Sequence, residues 1–352
     1  MEFGVALASD TESWKHVKRA EELGFSSSWF YDTQLLNPDV FICMALAAVN
    51  TSKIRLGTGV LIPSNRIEPV AANALATINK LAPGRVDFGV GTGFTARRTM
   101  GLKAIPLEKM KQYIRRVQSL LLGETVEWDF EQKTRKLAFL NSQMGQINLD
   151  DEIGLHVSAM GPKSRELVAE LGSGWINFGS DPHAMQKDLV DMKSKWQIFG
   201  RSADSLYTSL FFLGAVLGED KEDNNRKLML QAAPWTAVMF HNLVESKAAI
   251  WKNLPDPLRS VLDKYRRIYQ KYEPSDARHI ENHRGHLMFL REEEKKIISP
   301  ELVLSTTMSG SREELIERIR SLNETGYAQF VVQLVPGQEA AIEDWADIFS
   351  AV

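Results

Sequence analysis

Two short strands joined by a helix constrain this chain more than any other feature. In residues 53–93, Ile54, Leu56, Thr58 and Val60 alternate with Arg55, Gly57 and Gly59, the period of two that marks a strand. Pro69 opens a helical pattern with Val70, Ala74 and Ile78 on one stripe and Ala71 and Leu75 beside it. Pro83-Gly84 ends that pattern, as such residues do just past a helix C-terminus. Val86, Phe88 and Val90 then alternate against Gly89 and Gly91. Strand, helix and strand in such short order form a βαβ unit whose strands lie parallel, because a parallel pair needs a crossover.

The same rhythm extends along the chain. Phe3, Val5 and Leu7 give a first strand, residues 26–32 a second, 154–159 a fifth, 174–179 a sixth, 208–217 a seventh and 330–335 an eighth. Helical stripes separate them: Trp14, Val17 and Ala20; residues 37–49; Met110, Ile114, Val117 and Leu121; and Met185, Leu189, Met192 and Trp196. Ser311 and Glu314 form a capping box ahead of Leu315, Ile316 and Ile319. Residues 124–150 read as a polar loop excursion at the barrel rim, and residues from about 220 to 300 as a charged, helical insertion. Eight strands alternating with helices favour a (β/α)8 TIM barrel over a doubly wound sheet. Residues 1–352 read as one domain carrying that insertion between the seventh and eighth strands.

Charge and cysteine content narrow the function classes. A net charge of −3 gives no basic face for nucleic acid or a membrane surface, and no apolar run reaches spanning length. The first residues, MEFGVALASD, carry an acid where a signal peptide is positive. The single cysteine, Cys43, lies in an apolar run, which excludes a disulfide scaffold. These features together predict a cytoplasmic protein.

In a barrel of this kind the functional groups come from the C-terminal ends of strands. That rule selects Ala8, Asp32, Thr58, Gly59, Thr92, Gly93, Ser158, Gly161, Asn177 and Gln333. Two strands end in glycine runs, Gly57-Thr58-Gly59 and Gly89-Val90-Gly91-Thr92-Gly93, which either admit a ligand to the backbone or bend the barrel wall. At HVSAMGPKSRELVAELG a strand leads through Gly161-Pro162 into a helix, whose first amides lack internal partners and favour an anion. Ser158, Gly161 and Lys163 are therefore candidate phosphate holders, and a plain capped turn is the structural alternative.

LGTGVLIP, Ala76-Thr77 and GRVDFGVGTG resemble the third and fourth strand segments of the bacterial luciferase-like flavin monooxygenase superfamily, which also holds deazaflavin-dependent oxidoreductases. The resemblance covers residues 3 to about 215 and about 302 to 335. It implies cofactor contacts at Ala8, Thr58, Gly59, Thr92, Ser158, Met160, Gly161, Pro162 and Lys163, with phosphate at the Gly161-Pro162-Lys163 turn and a cis peptide at Gly59–Val60. In the superfamily's deazaflavin sugar-phosphate dehydrogenases a histidine follows the aspartate of the second strand, and a glutamate follows the fourth-strand GTG. Here Thr33 and Phe94 stand at those positions.

Lacking those proton-transfer groups, the chain is expected to use reduced FMN and molecular oxygen on a small organic substrate, because oxygen chemistry belongs mainly to the cofactor. No nicotinamide motif is present, so a separate flavin reductase is the expected partner. A deazaflavin coenzyme with hydride transfer is the alternative, and flavin binding without catalysis is a second. Asp32 and Gln34 are the candidate catalytic groups. Phe94, Trp235, Phe240 and Trp251 either line an aromatic pocket or form core, and Arg97-Arg98 meet either a ligand anion or a rim salt bridge. The apolar residues near 229–254 suggest a homodimer, which the superfamily forms through helices near the second and third strands. His156 and His241 read as packed core residues. His279 and His283 have i, i+4 spacing but no HExxH motif, and no metal is expected.

Overall fold

The computed structural model describes residues 1–246 and 254–352. Along it run strands β1 (Glu2–Leu7), β2 (Ser27–Phe30), β3 (Arg55–Thr58), β4 (Val86–Val90), β5 (Val126–Phe130), β6 (Lys133–Leu137), β7 (Gly154–Ser158), β8 (Gly174–Phe178), β9 (Thr208–Phe212), β10 (Val216–Leu217), β11 (Gly310–Ser311) and β12 (Gln329–Leu334). Eight of them close a parallel barrel in the order β1-β12-β9-β8-β7-β4-β3-β2. The (β/α)8 TIM barrel read from the strand and helix periods is the observed fold.

Alternation along each strand divides the core into two shells. Val5, Leu7, Phe30, Leu56, Phe88, Val157, Phe212 and Val332 face outward and pack under the helices. Ala6, Trp29, Ile176, Phe211 and Val331 face the barrel axis. Pairing of Ala6 with Trp29 across β1 and β2, and with Gln333 across β1 and β12, fixes the register that builds those layers.

At the N-terminal end of the barrel Asp87 is buried under a two-pronged bond from Arg55, with Nη2 at 2.6 Å and Nε at 2.9 Å. His156 Nε2 lies 3.5 Å from the same carboxylate, and its ring meets Trp29 edge-on. His156 is thus a packed barrel residue. Burial alone would raise Asp87, but the bonds from His156 and Arg55 hold it below the usual aspartate range.

Residues 126–137 differ from the loop expected there. β5 and β6 form an antiparallel hairpin on the outside of the barrel. Val126 and Trp128 face inward, and Trp128 Nε1 donates to Glu68 at 2.9 Å. Its turn places Glu131 and Gln132 at φ 51° and 60°, a left-handed conformation usually signalled by Gly or Asn.

The late insertion is clamped at its base. β10 and β11 pair in parallel, Val216 with Gly310 and Leu217 with Ser311, so that the chain leaves and re-enters the barrel at one point. Between them lie helices Lys221–Lys227, Ala233–Glu245, Asp256–Tyr269, His279–His283, Glu292–Lys295 and Pro300–Thr306. The apolar residues of helix Ala233–Glu245 are used inside the insertion itself: Phe240 stacks on Tyr265 at 5.9 Å and packs with Leu262. Trp251 lies outside the described residues. Among the described residues, no helix is long and apolar enough to cross a membrane.

Candidate active site

The C-terminal mouth of the barrel is apolar with one polar pair. Ala8, Tyr31, Phe178 and Val60 line it, and Leu287 of the insertion packs over them. Trp235 stacks on Phe178 at 6.4 Å, so the insertion contributes an aromatic wall. Tyr31 donates its hydroxyl to Gln333 Oε1 at 3.0 Å, and burial pushes the Tyr31 phenol above its ordinary range. The second half of the Gln333 amide, Nε2, is buried and has no partner. An unpaired buried donor costs about 1–3 kcal/mol, so this amide awaits an acceptor such as a ring carbonyl.

Several residues selected from sequence hold the wall instead of facing the mouth. Thr58 is fully buried and its hydroxyl donates to the Gly89 carbonyl at 2.7 Å. A side chain at Gly57 would run into the Trp29 ring, and one at Gly89 into the Thr58 carbonyl. Gly57 thus makes room for the barrel's own tryptophan and Gly89 for the neighbouring strand's backbone. At Gly59 a Cβ would lie 2.9 Å from Trp29 Cβ, and the Gly59–Val60 peptide is cis. Asn177 is buried and donates to Tyr327 Oη at 3.0 Å.

Asp32 and Gln34 are braces rather than groups open to a substrate. Asp32 is 4% exposed; it accepts from Ile62 N (3.1 Å) and Asn65 Nδ2 (3.2 Å) and pairs with Arg66 Nη1 (2.8 Å). Gln34 donates to the Ala96 carbonyl at 2.7 Å and accepts from Asn65 at 2.6 Å. Together they fix the loop after β3 against helix Phe94–Arg98. Arg98 makes a rim contact, reaching Asn242 Oδ1 at 3.1 Å and Glu245 at 3.6 Å while covering the Phe94 ring. Thr92 is half-buried and its carbonyl accepts from Ile105 N at 3.0 Å.

Beside the mouth, Ser158 ends β7 half-buried, and Met160, Pro162 and Lys163 are exposed. Gly161 caps helix Pro162–Leu171: its amide donates to Ser164 Oγ at 3.1 Å, and that hydroxyl returns a bond to the Gly161 carbonyl at 2.8 Å. The turn is held from behind by Arg165, which is buried, donates to the Met160 carbonyl at 2.8 Å and pairs with Asp188 and Asp191. The Lys163 and Ser164 amides head the helix with no carbonyl four residues back to accept them, so the turn offers braced donors to an anion. A ring at the mouth and a phosphate at this turn fit the residues present.

Sequence spacing missed a second constellation. His241, His283 and His286 are all buried and bring ring nitrogens together, whereas His279 lies away from them against Gly101. The acids beside them are not surface residues, since Glu294 is fully buried and Glu245 mostly so. Burial pushes His241 and His286 below the ordinary histidine range.

The family model described as luciferase-like monooxygenase matches residues 8–329. The chain is 25% identical over 341 residues to a 5,10-methylenetetrahydromethanopterin reductase of Archaeoglobus fulgidus, covering 94% of this chain and 92% of that protein. It is 32% identical over 170 residues to an F420-dependent glucose-6-phosphate dehydrogenase of Beutenbergia cavernae, covering 45% and 49% of the two. Among solved structures, an F420-dependent secondary alcohol dehydrogenase in complex with an F420-acetone adduct superposes with a TM-score of 0.71 at 17% identity, over 100% of this chain and 98% of that one. The chain therefore belongs to the luciferase-like monooxygenase family of oxidoreductases.

Proposed function

We propose that this protein is a deazaflavin-dependent oxidoreductase that moves a hydride between coenzyme F420 and a small organic substrate. The observation that carries this reading is the similarity over 94% of the chain to a 5,10-methylenetetrahydromethanopterin reductase, alongside an F420-dependent dehydrogenase over 45% of it. Reduced FMN with oxygen, favoured by sequence alone, has weaker support among these relatives. Bound at the mouth, the coenzyme supplies two-electron hydride chemistry.

The chain's own residues do the remaining work. The Gly161-Pro162-Lys163 turn anchors the phosphate end, and Gln333 Nε2 gives the ring a hydrogen bond that nothing else in the protein takes. Ala8, Val60, Tyr31 and Phe178 present apolar surface to the ring, and Leu287 and Trp235 exclude water. No carboxylate or imidazole is among the residues identified at the mouth, since Asp32 is held by Arg66 and Asn65. A substrate whose carbon is already electrophilic, and so needs no proton relay, suits such a mouth.

Anaerobic assay of the purified protein with reduced F420 and a panel of small iminium and carbonyl compounds tests this. Appearance of the oxidised deazaflavin absorbance without oxygen supports it. No turnover there, with oxygen-dependent product from reduced FMN, overturns it.

A further inference from the structure

The three buried histidines come from two separate stretches of the insertion. His241 sits on helix Ala233–Glu245, His283 ends helix His279–His283, and His286 follows Gly285 in the next turn. Their Nδ1 atoms converge: His241 to His286 is 3.3 Å and His283 to His286 is 3.4 Å. Their Nε2 atoms point outward to separate partners. His241 Nε2 meets Glu294 Oε1 at 2.7 Å, His283 Nε2 meets Glu245 Oε2 at 3.1 Å, and His286 Nε2 meets Thr95 Oγ1 at 3.0 Å.

The outer partners decide which nitrogen carries the proton. A carboxylate only accepts, so neutral His241 and His283 keep their N–H on Nε2 and turn a lone pair inward from Nδ1. His286 Nδ1 has at most one hydrogen, which can satisfy one of those lone pairs and not both. With all three rings neutral, protein groups alone thus leave a buried acceptor without a donor. A divalent cation accepts all three lone pairs at once.

Both separations to His286 agree with that occupant, and the third pair of ring nitrogens lies within 4.8 Å. Tetrahedral zinc with Zn–N bonds of about 2.0–2.1 Å places neighbouring nitrogens about 3.3–3.4 Å apart. Histidine ligands with their far nitrogen on a carboxylate are also the usual outer arrangement of such sites. Glu294 is itself fixed: Tyr265 Oη donates to it at 2.7 Å, Arg291 Nη2 at 2.6 Å and Arg291 N at 2.8 Å. Glu245 is held by Asn282 Nδ2 at 2.8 Å.

We propose that His241, His283 and His286 form a three-histidine site for a first-row divalent cation of the zinc class, with Glu294 and Glu245 as orienting carboxylates. The ion fastens two separate stretches of the insertion to each other. Through Thr95 it also ties them to the helix that follows β4, and Leu287, one residue beyond His286, is thereby held over the barrel mouth. This site is independent of which cofactor the mouth binds.

Full-length protein stripped with a chelator and dialysed against Zn2+ or Co2+ tests the proposal. One equivalent of metal per chain is expected, with the intense visible bands of low-coordinate Co2+ and a rise in melting temperature on reloading. His286→Ala should abolish the stoichiometric binding and His279→Ala should leave it intact. Glu294→Gln should weaken Zn2+ affinity about 10–100-fold, the usual effect of removing an orienting partner. Should His286→Ala fail to fold, X-ray absorption on cobalt-loaded wild type decides, with three imidazole ligands expected. Less than stoichiometric binding by wild type, binding unaltered in folded His286→Ala, or a metal environment without three imidazoles would each overturn it.

Discussion

Asp32 shows how a residue at a strand end takes a structural duty. Its carboxylate is 4% exposed and pairs with Arg66, which also bonds Asp39. With the Asp32 charge removed, Arg66 still keeps Asp39, so the cost is about 1–3 kcal/mol, that of weakened charged hydrogen bonds rather than of a bare buried charge. Asp32→Asn is expected to lower the unfolding free energy measured in urea by that order, and with it the midpoint, and any loss of activity should follow the loss of the loop after β3. An unchanged midpoint with lost turnover would instead mark Asp32 as catalytic. Gln333 is the opposite case, since its Nε2 has no partner in the protein. Gln333→Leu removes the acceptor of the buried Tyr31 hydroxyl, so apo stability should fall by about 1–3 kcal/mol, and coenzyme binding should weaken about tenfold, the value of one hydrogen bond to a ring acceptor. Equal coenzyme affinity in both proteins would exclude this contact. Strand-end positions were legible at this scale, but their duties were not: whether Asp32 faces a substrate or Arg66 depends on a loop conformation that spacing does not encode.

Among elements, strand periods and helix stops were the legible part. The Ser311 to Glu314 capping box is present as both bonds, Glu314 N to Ser311 Oγ at 3.3 Å and Ser311 N to Glu314 Oε2 at 2.9 Å. The β5–β6 hairpin was not legible, because its turn uses Glu131 and Gln132 in a conformation that Gly or Asn ordinarily announces. The glycines of β3 and β4 left ligand approach and wall bends open in sequence, and their close neighbours are the protein's own: the Trp29 ring at Gly57 and the Thr58 carbonyl at Gly89. Gly57→Ala should therefore destabilise by about 1–3 kcal/mol through overpacking, measured by chemical unfolding, whatever the cofactor. A neutral effect would mean that the wall has slack. β3 and β4 are also tied by Arg55 and Asp87, whose carboxyl sits below its unfolded value of about 3.9. A depressed acid contributes stability above its unfolded pKa and loses it as pH falls through the folded one. Wild-type unfolding midpoints should drop as pH falls below about 4 more steeply than those of Asp87→Asn; parallel curves would contradict this.

For the whole molecule, the barrel supplies a mouth and the insertion covers it. The described residues of the insertion carry helices between Lys221 and Thr306. Its histidine cluster was not legible in the sequence, because His241 and His286 are 45 residues apart and meet only when separate segments fold over the mouth. The choice of cofactor also escaped sequence, since a braced anion turn and an apolar ring site serve FMN and a deazaflavin alike. Anaerobic fluorescence titration of the full-length protein with F420 and FMN, each oxidised and reduced, tests deazaflavin use most directly. Saturable F420 binding at least tenfold tighter than FMN is expected, with the bound reduced form stable when oxygen is admitted. Tighter FMN binding, with rapid oxygen consumption by the reduced complex, would contradict it.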